Sequence, residues 1–513
     1  MNKRLIGGAS AVAIAVVLYA CGGSGGSNPS VDVSKGTVLL NANVVNTRDG
    51  SVSTGMSIVI DGGKIQQIVP SGTNVTLSGS GQAVDASGKF VVPGYQDMHV
   101  HSMDAADLQP TDWPLYIANG VTGVRQMGGS AALIQRARKL NADSAAGLVD
   151  APEILMTPGI LFAGQSTTAA AAVKFVQDRK AEGADFIKVA AGNRESVLAI
   201  LDEAKNQKLG VAGHLVPAVS ALESSNAGWR AIEHLGAGWG LILDCASDEA
   251  AIRSAVLSGQ AFNPPFPATF TLNPRVYDGT INGKFYQRIF DTYSDAKCQS
   301  LAQAFVQNQT WQVPTLIRLR TQNFGSDALY RNDPNLIYVS RATRALWEQL
   351  AVEYVANLSA STSASLKQYY GLEQKVTKML KQSGVKMMAG SDTSTSAVWV
   401  IPGFSLHQEF RELAASGLSP LEILQMTTLN PAEFLSRQST MGTVDVGKNA
   451  DLVVLDANPV LDVANLSKIA AVVMKGKYFS KAALDKQKSD VADAYSKVTI
   501  QTIASLIETM HKD

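Results

Sequence analysis

The middle of the chain alternates short apolar runs with longer amphipathic stretches. The predicted strands are residues 121–125, 186–189, 209–214, 229–234, 311–316 and 385–392, and the predicted helices include 131–140 and 196–207. Repeated strand-then-helix units indicate a parallel sheet, and about eight of them indicate a closed barrel. We therefore predict an α/β fold with a (β/α)8 TIM barrel at residues 93–439.

The two ends of the chain have a different, β-rich pattern. Short apolar runs bounded by turn residues occur at 37–40 and 57–60, and again at 451–455 and 471–474. Neither end has enough strands to bury a core alone. We expect residues 36–92 and 440–482 to form one small composite β-sandwich domain, and residues 483–513 to form a C-terminal helix.

The first residues have the character of a targeting segment. Lys3 and Arg4 precede an apolar run, which ends at Cys21 and is followed by Gly and Ser residues. This order resembles the bacterial lipoprotein signal, which implies a signal peptide at residues 1–20, a tether at 21–35 and a lipid anchor on Cys21. The bulky Tyr19 leaves plain secretion open. In both cases the protein is exported, to the periplasm or the extracellular face.

Composition limits the remaining classes. The chain has 513 residues, 46% hydrophobic and 17% charged, which indicates a globular protein of two or more units. The formal net charge is zero, so nothing points to a nucleic-acid partner. Cys245 and Cys298 could pair in an oxidising compartment or stay as buried thiols, and both alternatives are open.

Histidines at the end of an apolar run provide the first candidate chemistry. His99 and His101 follow the strand-like residues 89–93, and the chain has only six histidines. On an extended segment, residues two apart point to the same side. The two imidazoles can therefore share a metal ion, although an isolated His-x-His pair is weak evidence.

Further residues that can bind a metal ion lie at or near the ends of later apolar, strand-like runs. They are Lys188, His214, His234 and Asp392. In a barrel of this type, the chemistry lies at the C-terminal ends of the strands, so these side chains are expected to converge. Lysine is costly to bury as an ammonium, so Lys188 needs either a path to solvent or a chemical change at its amine.

The order His-x-His, Lys, His, His, Asp resembles the amidohydrolase superfamily, in particular its imidazolonepropionase-like and prolidase-like (Xaa-Pro dipeptidase-like) metal-dependent hydrolases. The similar motifs are VVPG at 91–94, GVTGVR at 120–125, IEH at 232–234, AGSD at 389–392, LHQE at 406–409 and GKNADLVV at 447–454. The resemblance covers roughly residues 36–480. It implies a barrel enzyme whose lysine is carboxylated by carbon dioxide and bridges two metal ions.

The resemblance also implies a role for each residue. His99, His101 and Asp392 would hold one divalent ion, and His214 and His234 the second, with carboxylated Lys188 between them. Zinc is the expected metal. Asp392 would act as general base toward a metal-bridging hydroxide and then as general acid. A single metal with an unmodified Lys188 is the alternative.

For the other candidate residues, the neighbouring sequence does not define a single role. His407 is placed in a loop after the last barrel strand, where it could contact substrate, support the site or simply pack. Arg318 and Arg320, near the end of a late strand, could pair with a substrate carboxylate. The insertion-like stretch 245–308 contains aromatic residues that could line a pocket or pack. His511 is expected to be exposed.

These observations lead to a functional prediction. We expect a metal-dependent hydrolase of an amide-type C–N bond in a dipeptide or N-acyl amino acid, with a lactone or a cyclic amide or imide as the alternative substrate. A binding or scaffold protein built on an inactive barrel would be expected to lack some of the metal-ligand residues. In this sequence the set of ligand residues is complete, which argues against that alternative. The expected partner is a small molecule, with membrane contact only through the lipid anchor and homo-oligomerisation left open.

Overall fold

The protein is described here from a computed structural model, which covers residues 30–103, 112–164, 166–261, 273–393 and 397–497. Several predictions concern residues outside these ranges. They are the signal peptide, Cys21, most of the tether, the aromatic residues Phe262, Phe266 and Phe270, and the distal C-terminal segment with His511.

The described chain alternates strands and helices through its middle, as the apolar pattern predicts. The strands are β1 (Ser30–Val33), β2 (Thr37–Val45), β3 (Val52–Asp61), β4 (Lys64–Pro70), β5 (Asn74–Leu77), β6 (Gln82–Asp85), β7 (Phe90–Pro93), β8 (Tyr95–Val100), β9 (Val121–Gln126), β10 (Glu153–Met156), β11 (Phe162–Gly164), β12 (Phe186–Gly192), β13 (Gly210–Gly213), β14 (Trp229–Glu233), β15 (Trp311–Val313), β16 (Leu452–Leu455), β17 (Ile469–Met474) and β18 (Lys477–Ser480).

The helices follow the strands of the middle region and close the chain. They are α1 (Trp113–Ala118), α2 (Ala131–Ala145), α3 (Ala169–Ala181), α4 (Arg194–Asn206), α5 (Ala221–Asn226), α6 (Glu249–Leu257), α7 (Gly279–Asp291), α8 (Asp295–Asn308), α9 (Leu316–Asn323), α10 (Ala328–Arg331), α11 (Arg341–Asn357), α12 (Ala360–Gln382), α13 (Phe404–Ala415), α14 (Pro420–Thr427), α15 (Leu429–Phe434) and α16 (Lys481–Ser496). None of the helices within the covered ranges is long and apolar enough to cross a membrane.

Polar caps start many of these helices. Asn193 ends the connection from β12, and its side chain accepts a hydrogen bond from the Ser196 N–H at the start of α4. Ser130 caps α2 in the same way. Such side chains satisfy backbone donors that lack a partner within the helix, which fixes where each helix begins. The helices predicted at 131–140 and 196–207 are thus present as α2 and α4.

Strands from both ends of the chain form one sheet. Its order is β18-β17-β16-β7-β2-β3-β4, with β6 also paired to β2. The junction is the antiparallel pair of β16 and β7, in which Val453 lies opposite Val92. One face buries a cluster that includes Leu39, Ile58 and Leu452. The pairing of the two ends agrees with the sequence pattern, while a separate β-sandwich domain stays a prediction.

The parallel strands of the middle region form a curled sheet. It is made of the three-stranded order β10-β9-β8 and the five-stranded order β11-β12-β13-β14-β15. Residues 386–393 join the two groups, because Gln312 N–H donates to the Lys386 carbonyl at 3.0 Å and Met98 N–H donates to the Ala389 carbonyl at 3.0 Å. The α/β class is confirmed, and complete closure as a TIM barrel stays a prediction.

Three local predictions need correction. His407 lies on α13 and not in a loop, because the helix already begins at Phe404, directly after the turn at Gly403. Arg318 and Arg320 lie on α9, which starts three residues after β15, and not at a strand end. The C-terminal helix begins at Lys481, two residues earlier than predicted, where the Ser480 side chain caps it.

The structure also decides between the two cysteine alternatives. Cys245 and Cys298 form a disulfide that connects the residues following His234 to α8. Both residues are fully buried. Aromatic residues of the 245–308 stretch pack in the same region, where the rings of Phe285 and Tyr286 lie 5.9 and 6.0 Å from Trp239.

Candidate metal centre

Two histidines lie at the carboxyl end of β8. His99 is the fifth residue of the strand and is completely buried, and His101 follows the strand directly. Their ring centroids are 5.5 Å apart. The alternation of the strand thus brings both imidazoles to the same side, as the His-x-His spacing predicts.

Asp392 joins this pair from the segment that bridges the two sheet groups. Its backbone N–H donates to the His99 carbonyl at 2.8 Å. Its Oδ1 lies 3.2 Å from His99 Nε2 and 3.7 Å from His101 Nε2. One atom from each of the three side chains lies within 4.8 Å of the others, so the group could hold a metal ion.

His234 and His214 extend the cluster from the ends of β14 and β13. The His234 ring lies 4.4 Å from the His99 ring and 5.2 Å from the His214 ring, between centroids. His234 Nε2 is 3.9 Å from Oδ2 of Asp392. The two carboxylate oxygens of Asp392 therefore face different histidines, one toward His99 and His101 and the other toward His234.

Lys188 lies inside the same cluster. It is on β12, pairs in register with Ala212 of β13, and is 1% exposed. Burial, followed by the positive charge of Lys188, lowers the pKa of His214 to about 3. The same two causes are the first to lower the pKa of His99. An unmodified ammonium here therefore acts directly against cations held by these histidines.

A buried carboxylate orients His99. His99 Nδ1 lies 2.7 Å from Oε2 of Glu233, and Arg125 donates to the other oxygen of Glu233 at 2.6 Å. All three side chains are at most 1% exposed. Burial by itself would raise the pKa of Glu233, but Arg125 and His99 hold it at about 2. Glu233 is thus ionised, and it leaves Nε2 of His99 to face Asp392.

His234 is oriented in a similar way by a hydroxyl group. Its Nδ1 lies 2.5 Å from Oγ1 of Thr315, which leaves Nε2 directed toward Asp392. Thr315, His234 and Asp392 have left-handed backbone conformations, with φ of 45°, 54° and 56°. Non-glycine residues rarely adopt this region, and such strain is concentrated at functional sites. The fold therefore holds these side chains in place at a conformational cost.

Close backbone packing around the site requires glycine at one position. A Cβ atom on Gly390 would lie 2.9 Å from the Cβ of His99 and 2.9 Å from Val313. The glycine of the AGSD motif thus allows the Asp392 segment to lie against β8. This packing sets the separation between Asp392 and the two histidines.

The electrostatics of the cluster suit metal binding. Burial keeps the imidazoles of His99, His214 and His234 neutral by lowering their pKa values. Burial alone would raise the pKa of Asp392, but His234, His99 and Arg318 hold it well below its usual range. Neutral imidazole nitrogens and an ionised carboxylate are the ligands that zinc and related divalent ions prefer. The residues present therefore fit such ions.

Of the remaining candidates from the sequence, Arg318 contacts the histidine cluster and His407 does not. Arg318 reaches the cluster, with its Nε 3.2 Å from Oδ2 of Asp392. His407 contacts Tyr95 and Phe410 through its ring and bonds to the Asn119 carbonyl at 3.0 Å. Tyr95 begins β8, whereas His99 is near its end, so His407 is apart from the cluster.

Three residues of the site had no role assigned from sequence. Glu233 and Arg125 lie in the IEH and GVTGVR motifs, and Thr315 follows β15. Glu233 contacts His99 across 134 positions, Thr315 contacts His234 across 81, and Arg125 contacts Glu233 across 108. Their place in the motifs was the only sequence signal for Glu233 and Arg125, and Thr315 had none.

Comparison with known proteins finds similarity to hydrolases in part of the chain. Residues 372–478 match the amidohydrolase family. A dihydroorotase of Carboxydothermus hydrogenoformans is 34% identical over 96 residues, which are 18% of this chain and 21% of that protein. An imidazolonepropionase of Fusobacterium nucleatum subsp. nucleatum is 29% identical over 105 residues, 20% of this chain and 24% of that protein. The chain thus spans between a fifth and a quarter of the curated relatives that it matches.

Solved structures share the fold over most of the chain. A Xaa-Pro dipeptidase with bound methionine has a TM-score of 0.56 at 18% identity and covers 87% of this chain and 100% of its own. A bottromycin amidohydrolase has a TM-score of 0.65 at 17% identity and covers 89% of this chain and 90% of its own. The predicted resemblance to the amidohydrolase family is confirmed over residues 372–478, and the α/β fold of the chain is similar to that of prolidase-like dipeptidases and amidohydrolases.

Proposed function

We propose that the protein is a metal-dependent hydrolase that cleaves an amide-type C–N bond in a dipeptide or an N-acyl amino acid. The observation that carries this proposal is the position of Asp392, which has Oδ1 3.2 Å from His99 Nε2 and Oδ2 3.9 Å from His234 Nε2. A carboxylate between two groups of imidazoles suits both a ligand and a proton carrier.

In this proposal the cluster holds two divalent ions, with zinc as the expected metal. His99, His101 and Asp392 hold one ion, and His214 and His234 hold the other. When bound, the ions lower the pKa of a water molecule and polarise the carbonyl that is attacked.

Lys188 would bridge the two ions as a carbamate. The ammonium would first lose one proton, and the neutral amine would then attack carbon dioxide, form an N–C bond and release a second proton. A cationic side chain would thus become an anionic one. The burial of Lys188 and its effect on the pKa of His214 support the change. The ammonium would repel both ions, whereas the carbamate has two oxygens to offer them.

The chain's own residues would then move the proton and orient the groups. Asp392 accepts a proton from the attacking water and delivers it to the leaving nitrogen, acting first as base and then as acid. Glu233 and Thr315 keep His99 and His234 in orientation. Arg318 lies 3.2 Å from Asp392, within reach of a substrate carboxylate bound beside that residue.

A lactone or a cyclic amide or imide is the second candidate substrate. The two curated relatives that match parts of the chain are a dihydroorotase and an imidazolonepropionase. The same water attack and the same proton transfer by Asp392 would open a ring. The two proposals therefore differ in the substrate and share the site.

Turnover of a mixed panel tests the proposal. The metal-loaded protein is assayed on dipeptides, N-acyl amino acids, lactones and cyclic imides, beside Asp392→Asn and the exposed control Asp490→Asn. We expect hydrolysis of at least one amide class, unchanged in the control and reduced about 100-fold or more in Asp392→Asn. Equal rates for Asp392→Asn and wild type would contradict the proposal.

We also propose export with lipid anchoring through Cys21. The order of basic residues, apolar run, cysteine and Gly/Ser stretch supports this. The test is mass spectrometry of the mature N-terminus. A diacylglycerol-modified Cys21 is the expected result, and cleavage elsewhere or an unmodified Cys21 would contradict it.

Closure of the curled sheet into a TIM barrel is the corresponding proposal for the fold. A hydrogen bond from the Asp185 N–H to the Thr157 carbonyl, at 2.9 Å, supports this proposal, because it connects one edge of the sheet at β10 to the start of β12, the strand beside the other edge. Thr157 follows β10, and Asp185 precedes β12. A closed sheet would bring the carboxyl ends of all its strands to one face, where the cluster lies.

A further inference from the structure

A second cavity lies beside α13, on the side of the fold where His407 is found. Its volume is about 670 Å³, which is in the range of small-molecule sites. Phe404, His407, Gln408 and Arg411 of α13 form one wall. Relative to Phe404 the other three positions lie three, four and seven residues further along the chain, and therefore all four share one face of the helix.

The C-terminal helix α16 forms the facing wall. Lys481, Leu484 and Lys488 line the cavity and are also spaced to share a helix face. A third wall comes from the segment around Tyr330 and Asp333. Two helices thus face each other across a gap that contains polar and charged side chains.

Three cations, Arg411, Lys481 and Lys488, and three carboxylates, Asp333, Glu412 and Asp485, lie around this gap. Lys481 and Lys488 share a single carboxylate, Asp485, at 2.5 and 2.9 Å. Among the residues that the structure covers, Arg411 forms no ion pair with a carboxylate. An anionic ligand would therefore find cations that are not each paired with a carboxylate.

The two carboxylates that line the cavity are already engaged. Asp333 accepts hydrogen bonds from Gln408 at 2.9 Å and from the Asn335 N–H at 2.8 Å. Glu412 lies 3.3 Å from Arg320 and accepts a hydrogen bond from Tyr370 at 2.6 Å. Glu412 is thus compensated by a cation, whereas Asp333 is hydrogen-bonded by neutral donors and keeps its negative charge.

His407 adds an acceptor that lacks a donor. It is 5% exposed, and its Nε2–H donates to the Asn119 carbonyl at 3.0 Å. Burial lowers the pKa of His407 to about 4, so the ring is neutral and Nδ1 has a lone pair. Within the covered ranges no group donates a hydrogen bond to Nδ1. A buried polar atom without a partner is uncommon, and because Nδ1 is closed to solvent, a donor reaches it only if the ring turns or its neighbours shift.

We propose that this cavity is a second binding site, which takes a small carboxylic acid that also has a hydroxyl or amine donor. The carboxylate would pair with Arg411 and Lys488, and the donor would bond to Nδ1 of His407. The site is separate from the metal centre and does not depend on the proposed function. His407, for which the sequence left substrate contact, support of the site and packing open, would thus serve this second site.

Lactate and propionate form a matched pair of probes, because they differ by one hydroxyl group. Each is titrated into the full-length protein by calorimetry at fixed ionic strength. We expect lactate to bind roughly 3- to 10-fold more tightly, which is the effect of one satisfied hydrogen bond. His407→Phe should remove this difference, and the comparison in wild type stands if that variant does not fold.

Surface variants locate the binding. Arg411→Ala should weaken lactate binding roughly 10-fold, because it removes a charge-assisted contact. Lys486→Ala is the matched control on α16, since Lys486 pairs with Asp490 and does not line the cavity. Asp392→Asn should leave lactate binding unchanged and so separate this site from the metal centre. No binding of either acid, equal binding of both, or equal effects of Arg411→Ala and Lys486→Ala would overturn the proposal.

Discussion

The Nδ1 atom of His99 lies 2.7 Å from Oε2 of Glu233, with both side chains fully buried. Arg125 holds the other oxygen of Glu233 at 2.6 Å. A metal ligand, a carboxylate and a balancing guanidinium therefore form one chain of contacts. Glu233 immediately precedes His234, so it links the two histidine groups through both the backbone and a side chain.

This relationship predicts the effect of Glu233→Gln. The amide keeps the shape but loses the negative charge that orients and polarises His99, so metal affinity should fall roughly 10- to 100-fold. Competition with a chromogenic chelator measures the affinity. Glu223→Gln, at an exposed ion pair with Arg194, is the control and should bind metal like wild type. Wild-type affinity in Glu233→Gln would contradict the orienting role.

Packing at Gly390 predicts a loss of stability on adding one methyl group. Gly390→Ala places a Cβ 2.9 Å from His99, so the free energy of unfolding should fall by about 1–3 kcal/mol. Gly371→Ala is the matched control, because Gly371 lies inside α12 with no atom within 4 Å of the added Cβ. Removing that glycine should stabilise the protein by about 0.5–1 kcal/mol. Denaturant unfolding measures both, and similar values for the two variants would contradict the argument.

The contact between Asp112 and Tyr495 predicts a pH dependence of stability. Burial raises the pKa of Asp112 to about 6, while the hydrogen bond from Tyr495 only partly opposes it. The folded state therefore holds this proton more tightly than the unfolded state. Its stabilising contribution is full below about pH 4, the ordinary pKa range of the group, and is lost as the pH rises to about 6.

Asp112→Asn isolates that contribution. The free energy of unfolding of the variant, relative to wild type, should rise between pH 4 and pH 7. Denaturant unfolding at several pH values measures the free energy of unfolding of both proteins. Subtracting the wild-type value at each pH removes the contribution of the other buried carboxyl groups, because both proteins contain them. Parallel pH curves for the two proteins would show that Asp112 titrates normally in the folded state.

The disulfide between Cys245 and Cys298 closes a long loop, with the two residues 53 positions apart. Replacing both cysteines by alanine should lower the free energy of unfolding by about 4 kcal/mol, because the unfolded chain is no longer restricted. Thermal melts with and without dithiothreitol measure this. Reductant should lower the Tm of wild type toward that of the variant and leave the variant unchanged. A variant as stable as oxidised wild type would contradict the prediction.

Local patterns predicted much of the fold, and together with the resemblance to the amidohydrolase superfamily they predicted the candidate ligand set. Alternation along β8 was enough to put His99 and His101 on one side, and the apolar pattern was enough to locate α2 and α4. The His99–Glu233 contact was not readable, because it depends on how β14 packs against β8. His407 was misplaced because Pro402 and Gly403 have the composition of a loop, although they end directly before a helix.

The cysteine pairing depended on tertiary structure in the same way. Cys245 and Cys298 lie on different elements, and only the packing of α8 brings their Cα atoms within 4.6 Å. The strained conformations at His234, Thr315 and Asp392 had no sequence signal, since none of them is a glycine. Such positions are held by the surrounding fold and not by local preference.

The metal content of purified protein, determined by elemental analysis for wild type and Lys188→Ala, tests the central claim most directly. Wild type should bind two divalent ions per chain. Lys188→Ala, which cannot form the carbamate, should bind about one and lose most turnover, and Lys188→Arg should do no better because it keeps the positive charge. A single ion per wild-type chain at every metal concentration, together with near-normal turnover of Lys188→Ala, would contradict the two-metal account.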